Sequence, residues 1–377
     1  MPERSVELGE PVLGEEELDR IQEVFETGWV LNGPVVAEFE QEFGEYLGAE
    51  HAVGVTNCTA GMDLAVKALG LTGSTVIAPG QSFIANGIAM LQNDVDPLFV
   101  DVDEETYNID PAAVEAHAEE ADGVFVLHYA GHAADMEPIL EIAAEYDLAV
   151  IEDAAHSLGS MYKDQPVGTF GDATVFSFGP VKMLTTAMGG MVTTPHEDVA
   201  ERIETLRSYG MDSDSWTRDD EQYSWRYSVP SLGHNFRLTD VAAAMGLAQL
   251  DRLDTFIEHR RARAAEYTER LDSIDGVHPP VERADYVHPY LYYVVRIGEE
   301  YPLSRNEIAV RLEEAGVEVS VHWDPALHEH EVIRQQIGDV TLPVSERLAD
   351  ELLTLPMHPK LTTEDVEYIA SIIESHS

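Results

Sequence analysis

The chain is poor in cysteine, in lysine and in long apolar runs, and each shortage excludes a class of protein. Cys58 is the only cysteine, so no disulfide can form within the chain, which fits a cytoplasmic enzyme. No apolar run approaches the roughly 18 residues that a membrane-spanning helix needs. Of the 22 basic residues four are lysines, at positions 67, 163, 182 and 360. A lysine that stands at a motif therefore carries unusual weight in this sequence.

Acidic residues dominate the charge. The chain has 71 Asp and Glu against 22 Lys and Arg, which gives a net charge of -49 at pH 7, and the acids are spread along the whole length. Such a surface repels nucleic acid and anionic lipid, so we expect neither a nucleic-acid nor a membrane partner. Near 1 M salt the Debye length falls to about 3 Å, which screens the self-repulsion. The pattern favours the high-salt cytoplasm of a halophilic archaeon, and an acidic mesophilic protein is the alternative.

The apolar pattern predicts an α/β fold with two domains. With 377 residues, of which 44% are hydrophobic, the chain can bury a large core. From about residue 50 to 200, short apolar runs alternate with helix-like stretches, as in a βαβ sheet. We predict a large domain at residues 1–250 with a mostly parallel sheet of seven strands, and a smaller α+β domain at residues 251–377. The N-terminal helix, residues 14–27, is expected to pack with the small domain.

Two reactive side chains follow predicted strands. Asp153 comes two positions after the apolar residues 148–151, and Lys182 follows the predicted strand at residues 173–177. A pyridoxal phosphate enzyme needs such a pair, because the amine forms a Schiff base with the cofactor aldehyde and the carboxylate keeps the pyridinium nitrogen protonated. On spacing alone, a solvated lysine and a helix-capping aspartate are an equally good interpretation.

Further candidates also lie at the carboxyl ends of predicted strands, where open parallel sheets bind ligands. Residues 55–60 join a strand to a helix whose first amides suit a phosphate dianion, and Ser177 adds a hydroxyl. Phe83 could stack on a pyridine ring or simply belong to the core. His156 could bond the phenolic oxygen of the cofactor. His128 ends another strand, with either a structural or a substrate role.

In their order along the chain, these motifs resemble the DegT/DnrJ/StrS-type sugar aminotransferases, which have the type I fold of pyridoxal phosphate enzymes. The resemblance runs nearly from end to end. It rests on residues 28–29, 33–34, 38–40, 101–103, 107–110, 151–156, 177–182, 189–190, 233–237 and 355–359. No single segment is specific, whereas their common order is.

The resemblance implies a role for each matching residue. The implied cofactor-binding set is Thr59, Ala60, Phe83, Asp153, His156, Ser177, Lys182 and Asn235. Lys182 and Asp153 would be the catalytic pair, and Thr59, Ala60 and Ser177 would bind the phosphate. Asn235 would reach that phosphate from the partner subunit, which implies a homodimer with shared active sites.

Substrate contacts are less specific in the sequence. The candidates are Trp29, His128, Arg237 and His322. Arg237 could pair with a substrate anion or form a structural salt bridge at the subunit interface. His322 could instead join the histidines and glutamates of residues 328–331 in a metal site. We expect no metal, because acidic loops that carry histidine are common in so acidic a chain.

The sequence also departs from the family pattern near the cofactor. Asn57 and Cys58 stand where the family usually has Ser and Gly, and Ala130 interrupts its His-x-Tyr-Gly motif. Gly179, Met183 and residues 187–188 differ as well. Since the cofactor anchors remain while their neighbours have changed, transamination is better supported than any particular sugar.

We therefore predict a pyridoxal phosphate-dependent aminotransferase. By resemblance it would move an amino group from glutamate to a nucleotide-linked keto-sugar, for glycan or glycoprotein synthesis, with Lys182 carrying the proton between the substrate and the cofactor. Three alternatives keep the same fold: a sugar dehydratase, an aminotransferase of a cyclic non-sugar ketone, and a non-catalytic regulator. Family dehydratases tend to have His at the position of Lys182, and an intact Lys182 and Asp153 argue against a regulator.

Overall fold

The computed structural model describes residues 4–212 and 227–377. Its strands are β1 (His51–Val55), β2 (Thr75–Pro79), β3 (Asp96–Val100), β4 (Gly123–Leu127), β5 (Ala149–Asp153), β6 (Met161–Tyr162), β7 (Gln165–Pro166), β8 (Ala173–Ser177), β9 (Gly190–Thr194), β10 (Val277–His278), β11 (Tyr286–Val287), β12 (Tyr293–Ile297) and β13 (Leu352–Leu355).

Helices connect and cover these strands. They are α1 (Glu15–Thr27), α2 (Pro34–Leu47), α3 (Cys58–Ala68), α4 (Ile84–Gln92), α5 (Pro111–His117), α6 (Met136–Tyr146), α7 (Glu197–Arg207), α8 (Asp240–Leu250), α9 (Leu253–Leu271), α10 (Arg305–Glu314), α11 (Glu331–Ile337), α12 (Pro343–Glu351) and α13 (Thr363–Glu374). Across the described residues, none of these helices combines the length and the apolar character that crossing a membrane requires.

A seven-stranded sheet forms the centre of the molecule, in the order β1-β9-β8-β5-β4-β2-β3. β9 runs antiparallel to both β1 and β8, and the remaining neighbours are parallel. Every residue of β4 is buried, as expected for a strand covered by helices on both faces. The prediction of an α/β fold with a mostly parallel seven-stranded sheet is confirmed.

The C-terminal part of the chain builds a smaller sheet. β10, β12 and β13 pair antiparallel in the order β10-β12-β13. The core beneath this sheet includes Tyr267 of α9 and Tyr293 of β12, whose rings stack with centroids 4.7 Å apart. β11, β6 and β7 form a third small sheet. The boundary between residues 250 and 251 stays a prediction.

The contacts of the N-terminal helix fall on both sides of the predicted domain boundary, so the expectation that it packs with the small domain stays a prediction. α1 packs mainly on α8, inside the range that we assigned to the large domain. Glu17 of α1 is buried, and it accepts a hydrogen bond from Gln249 at 2.5 Å and pairs with Arg252. Because a buried carboxylate needs such partners, these contacts hold α1 at the start of α9.

Close packing between α3 and the sheet fixes where α3 begins. A Cβ atom at Gly61 would lie 2.6 Å from Cγ1 of Val175 in β8, so glycine is needed for this approach. The first turn of α3 therefore lies directly above the carboxyl ends of the central strands. In open α/β sheets this edge is where ligands bind.

Candidate active site

A cavity of about 720 Å³ opens at the carboxyl ends of β1, β5 and β8. Eight of the predicted site residues line it together: Thr59, Ala60, Phe83, Asp153, His156, Ser177, Lys182 and His322. Tyr292 and Trp323, which the sequence analysis did not single out, lie in its wall. The fold therefore joins residues from the sheet and from the C-terminal part of the chain in one site.

The first turn of α3 supplies free amides. Asn57 caps the helix, because its Oδ1 accepts a hydrogen bond from the Ala60 amide at 2.9 Å. The Gly61 amide donates to the Asn57 carbonyl at 3.0 Å. In the part of the chain that the structure describes, the amides of Cys58 and Thr59 donate to no partner. An anion at this end of the cavity would thus meet the amides of Cys58 and Thr59, whereas that of Ala60 is used by the cap.

Asp153 is the last residue of β5 and its carboxyl group is held from two sides. Oδ1 accepts a hydrogen bond from the Ala155 amide at 3.0 Å, and Oδ2 accepts one from Nδ2 of Asn86 at 2.9 Å. Burial raises the pKa of Asp153, and these two donors oppose the rise because they stabilise the charged form. Sequence reasoning missed Asn86, which lies 67 positions from Asp153 and belongs to no motif.

Lys182 differs from the other lysines in having no acidic partner among the residues that the structure describes. Its Nζ lies 5.7 Å from the centroid of the Tyr292 ring. Within residues 4–212 and 227–377, this amine makes no hydrogen bond or ion pair. The others are paired: Lys67 with Asp63, Lys163 with Glu137, and Lys360 with Glu10. The Lys182 amine is therefore available to a ligand in the cavity.

Aromatic rings cover the opposite side of the cavity. The His156 ring stacks on that of Trp323 with centroids 5.5 Å apart, and Tyr292 stacks on His322 at 4.1 Å. Phe83 reaches Trp323 at 5.9 Å from the rim. Rings at these distances stabilise one another and shape a flat-walled cleft.

Both histidines of this aromatic layer are neutral. Burial lowers the pKa of His322 to about 3, and it lowers the pKa of His156 well below the ordinary value, with the nearby Lys182 charge acting in the same direction. Nδ1 of His322 lies 2.7 Å from Oγ1 of Thr354, which holds the ring in place. The cavity thus combines one lysine with rings that carry no charge.

His128 does not line the cavity, which favours the structural one of the two roles considered for it over the substrate role. The residue is fully buried, and its Nδ1 accepts a hydrogen bond from the Ala134 amide at 3.0 Å. The ring proton must therefore sit on Nε2, which donates to Glu152 at 2.9 Å. His128 thus donates a hydrogen bond that a buried carboxylate requires, and this contact is structural.

Trp29, Asn235 and Arg237 also lie outside the cavity of the single chain. The Trp29 ring nitrogen donates to the Leu31 carbonyl at 2.9 Å. Nε of Arg237 donates to Oδ1 of Asn235 at 3.0 Å, and its guanidinium lies 5.2 Å from the centroid of the Tyr209 ring. The roles predicted for these three residues stay predictions.

The histidines considered for a metal site are dispersed. His328 is buried, with its Nε2 at 3.2 Å from Oε1 of Glu346, while His322 faces the cavity. Among the described residues no group of three or more His, Cys, Asp or Glu is arranged to hold a metal ion.

The residues of the cavity fit pyridoxal phosphate. A single unpaired amine, a buried carboxylate held by two donors, and two free amides beside the Ser177 hydroxyl lie in one space of about 720 Å³. His156 also keeps a buried Nδ1 that has no partner. The amine matches the aldehyde of the cofactor, and the carboxylate matches its ring nitrogen. The amides and the hydroxyl match its phosphate, and His156 matches its phenolic oxygen.

Comparisons with known proteins agree with this chemistry. A sequence model of the DegT/DnrJ/EryC1/StrS aminotransferase family matches residues 11–374. The spore coat polysaccharide biosynthesis protein SpsC of Bacillus subtilis is 36% identical over 369 residues, which cover 96% of this chain and 95% of SpsC.

Solved structures give the same result. The aminotransferase PseC of Helicobacter pylori, which is involved in the biosynthesis of pseudoaminic acid, is 26% identical with a TM-score of 0.91, and the match covers 99% of both chains. DesI, solved in the presence of its TDP-sugar product, is 31% identical with a TM-score of 0.88, covering 98% of this chain and 91% of DesI.

Proposed function

The chain belongs to the DegT/DnrJ/EryC1/StrS aminotransferase family, and on that premise we propose that it transfers an amino group from glutamate to a nucleotide-linked keto-sugar. Enzymes of this family are pyridoxal phosphate-dependent sugar aminotransferases, and so is this chain. The observation that carries the proposal is the unpaired amine of Lys182 in the same cavity as the buried Asp153. The donor and the nucleotide form of the sugar are the proposed part.

The relatives support a nucleotide-linked substrate. DesI was solved with a TDP-sugar product, and SpsC is named for the biosynthesis of a spore coat polysaccharide. Activated sugars are the usual precursors of such polymers. A product that feeds surface glycan or glycoprotein synthesis would follow for this protein.

Each residue of the cavity has a physical task in this reaction. When bound, pyridoxal phosphate supplies an electron sink for the charge left on the substrate carbon. Lys182 would hold the cofactor and then move a proton at Nζ, since no carboxylate of the described part of the chain forms an ion pair with that amine. Asp153 would keep its negative charge beside the ring nitrogen. His156 and His322, being neutral, add no positive charge near Lys182.

We propose a homodimer with shared sites. Several large apolar side chains are exposed in the single chain: Leu13, Leu18, Phe25, Val181, Met188, Val229 and Leu232. Met188 lines the cavity and is 63% exposed, and Leu232, close to Asn235 in sequence, is 94% exposed. Apolar surface at the mouth of a cavity supports cover by a second copy. Asn235 is exposed in the single chain and would reach the partner's phosphate.

Mixing two inactive variants tests the shared site. Lys182→Ala and Asn235→Ala proteins are dissociated and reassembled together. If each site uses Asn235 of the other subunit, a mixed dimer has one site with both lesions and one with none. Random exchange should then restore about a quarter of the wild-type rate. No recovery, with exchange confirmed by mass spectrometry, would show that Asn235 serves its own subunit.

A substrate screen tests the reaction itself. Purified protein is incubated with glutamate and a panel of nucleotide-linked keto-sugars, and the release of 2-oxoglutarate is measured together with the mass of the sugar product. We expect 2-oxoglutarate and aminated sugar in equal amounts with at least one sugar. A sugar that loses water without forming 2-oxoglutarate would identify a dehydratase instead.

We also propose that the protein works in the high-salt cytoplasm of a halophile. The net charge of -49 is the observation in its favour, because so strong a self-repulsion is relieved where the Debye length is short.

A further inference from the structure

Asn86 is a buried amide in the first turn of α4 that no motif explains. It is 1% exposed. Its Nδ2 donates to Oδ2 of Asp153 at 2.9 Å and to Oγ of Ser82 at 2.6 Å. The same short stretch of chain carries Phe83 on the rim of the cavity. One turn of helix therefore connects the aromatic rim to the carboxylate at the end of β5.

The two oxygens of Asp153 have different kinds of partner. Oδ1 is held by the backbone amide of Ala155, which no substitution at Asn86 would remove. Oδ2 has Asn86 as its side-chain donor, and the described residues provide no other side chain that donates to it. With one donor on each oxygen, the plane of the carboxyl group is fixed. Donors to a carboxylate also favour its charged form over its protonated form.

The orientation of the Asn86 amide indicates that it serves the charge on Asp153. Its Oδ1 is buried and has no hydrogen-bond partner within residues 4–212 and 227–377, which is an unfavourable arrangement for a buried acceptor. A flipped amide would place that oxygen against Oδ2 of Asp153, where two acceptors repel each other unless the carboxyl group is protonated. A leucine would fill the same space without an unpaired oxygen. The polar side chain is therefore explained by its donor.

We propose that Asn86 is a positioning residue that keeps Asp153 ionised and aims its carboxylate at the ring nitrogen of the bound cofactor. The proposal rests on the function proposed above, in which Asp153 faces that nitrogen. Because Ser82 shares the same amide group, Asn86 also ties the carboxylate to the backbone next to Phe83. Loss of the amide should release both the Asp153 carboxylate and the backbone next to Phe83.

The first test uses the protein without cofactor, so that it does not depend on any activity. The variant is Asn86→Ala, and Asn93→Ala is its matched control. Asn93 follows α4, is 2% exposed, and donates from Nδ2 to Oδ1 of Asp63 at 2.8 Å. Both variants thus remove a buried amide that donates to an aspartate, but only one of them removes the donor to Asp153.

The readout is the titration of the Asp153 carboxyl carbon in the ¹³C NMR spectrum, assigned by its absence in Asp153→Asn. Since the lost donor favoured the charged form, we expect the pKa of Asp153 to rise by about one unit in Asn86→Ala and to stay unchanged in Asn93→Ala. An unchanged titration in Asn86→Ala would overturn the proposal. If Asn86→Ala does not fold, Asn86→Ser removes the same amide in a smaller change and should show the same rise.

A second readout is the affinity for pyridoxal phosphate, followed by its absorbance. We expect about tenfold weaker binding in Asn86→Ala and wild-type binding in Asn93→Ala. In turnover, kcat should fall while KM for the amino donor stays constant, because the carboxylate acts on the ring and not on the donor. Equal losses in both variants would show a general packing effect and contradict the proposal. A wild-type protein that transfers no amine would refute the proposed function, while the NMR titration would still decide the role of Asn86.

Discussion

The two walls of the cavity are built from different chemistry. The wall at the ends of the central strands presents charge and hydrogen-bond donors, from the start of α3 to Asp153 and Lys182. The wall from the C-terminal part of the chain presents stacked rings, Tyr292, His322 and Trp323, and burial keeps its histidine neutral. In the proposed function the sheet wall would carry the reaction, and the C-terminal wall would supply shape and low polarity, which strengthens the electrostatic interactions of the other wall.

The largest effect should come from removing the amine of the sheet wall. We expect Lys182→Ala to lower amine transfer by at least about 10³-fold, because the variant loses both the covalent anchor of the cofactor and the proton carrier. Borohydride reduction and peptide mapping of the wild-type protein should place the cofactor on Lys182. Lys163→Ala, in which an exposed ion pair with Glu137 is lost, is the control and should keep full activity. A cofactor adduct on Lys67, Lys163 or Lys360 would overturn the assignment.

The next effect should come from the carboxylate of the same wall. Asp153→Asn should lower turnover by about 100-fold, because an amide cannot stabilise a protonated ring nitrogen. The fold should survive, since Asn86 can turn its unpartnered oxygen toward the new amide. Circular dichroism and steady-state rates provide the measurement, with Asp164→Asn on the surface as control. Near-normal turnover in Asp153→Asn would mean that the two walls do not divide the work in this way.

A substitution in the C-terminal wall should instead change how the free energy of unfolding falls at acidic pH. His322 has a pKa of about 3 when folded and about 6.5 when unfolded. The unfolded state therefore takes up the proton first, so the stability from neutral His322 is complete above about pH 6.5 and is lost as the pH falls toward 3. Between pH 7 and pH 5 this loss is about 2 kcal/mol.

Denaturant unfolding of His322→Phe at these two pH values checks the sign. We expect the decrease in unfolding free energy between pH 7 and pH 5 to be smaller than in the wild type by about 2 kcal/mol. His117→Phe, at a half-exposed position, should leave the decrease unchanged. An unaltered decrease in His322→Phe would indicate that His322 is protonated in the folded protein, and the C-terminal wall would then be charged.

The smallest effect concerns the outer surface, which carries most of the acids. Because salt screens exposed charges far better than buried ones, a potassium chloride series should raise the melting temperature by at least about 5 °C. The pKa of Asp153 in the cavity should shift much less over the same series. A flat melting profile would remove the halophile proposal without affecting either wall.

The sequence predicted where strands end, but it did not predict the face of the sheet on which each side chain lies. Asp153 and Glu152 are neighbours in β5, and side chains alternate between the two faces of a strand. Asp153 lies in the cavity, whereas Glu152 is bonded to His128 in the core. The sequence analysis placed His128 at a strand end and left a structural and a substrate role open, because position along a strand does not decide the face.

Contacts between distant segments could not be predicted either. Asn86, Tyr292 and Trp323 carry no motif of their own, and each acquires its place from a partner far away in sequence, such as Asp153 for Asn86. Lys182 and Asp153 were predicted because they stand in a series of motifs whose common order is specific to one family. The sequence did not show that Asn57 uses the amide of Ala60 for the helix cap, so the phosphate role of Ala60 stays a prediction.

The order in which the chain is synthesised delays the formation of the cavity, because segments that pair with each other lie far apart in sequence. β1 lies at the edge of the central sheet and pairs with β9, so His51 cannot pair before Thr194 has been synthesised. The Thr56 amide, just before α3, donates to the carbonyl of Phe236 at 2.7 Å. Contacts between such distant segments form slowly, and an unpaired strand is prone to aggregation meanwhile. A ribosome-bound chain that ends before Phe236 should therefore not bind the cofactor, and loading becomes an event that follows the synthesis of the whole central sheet.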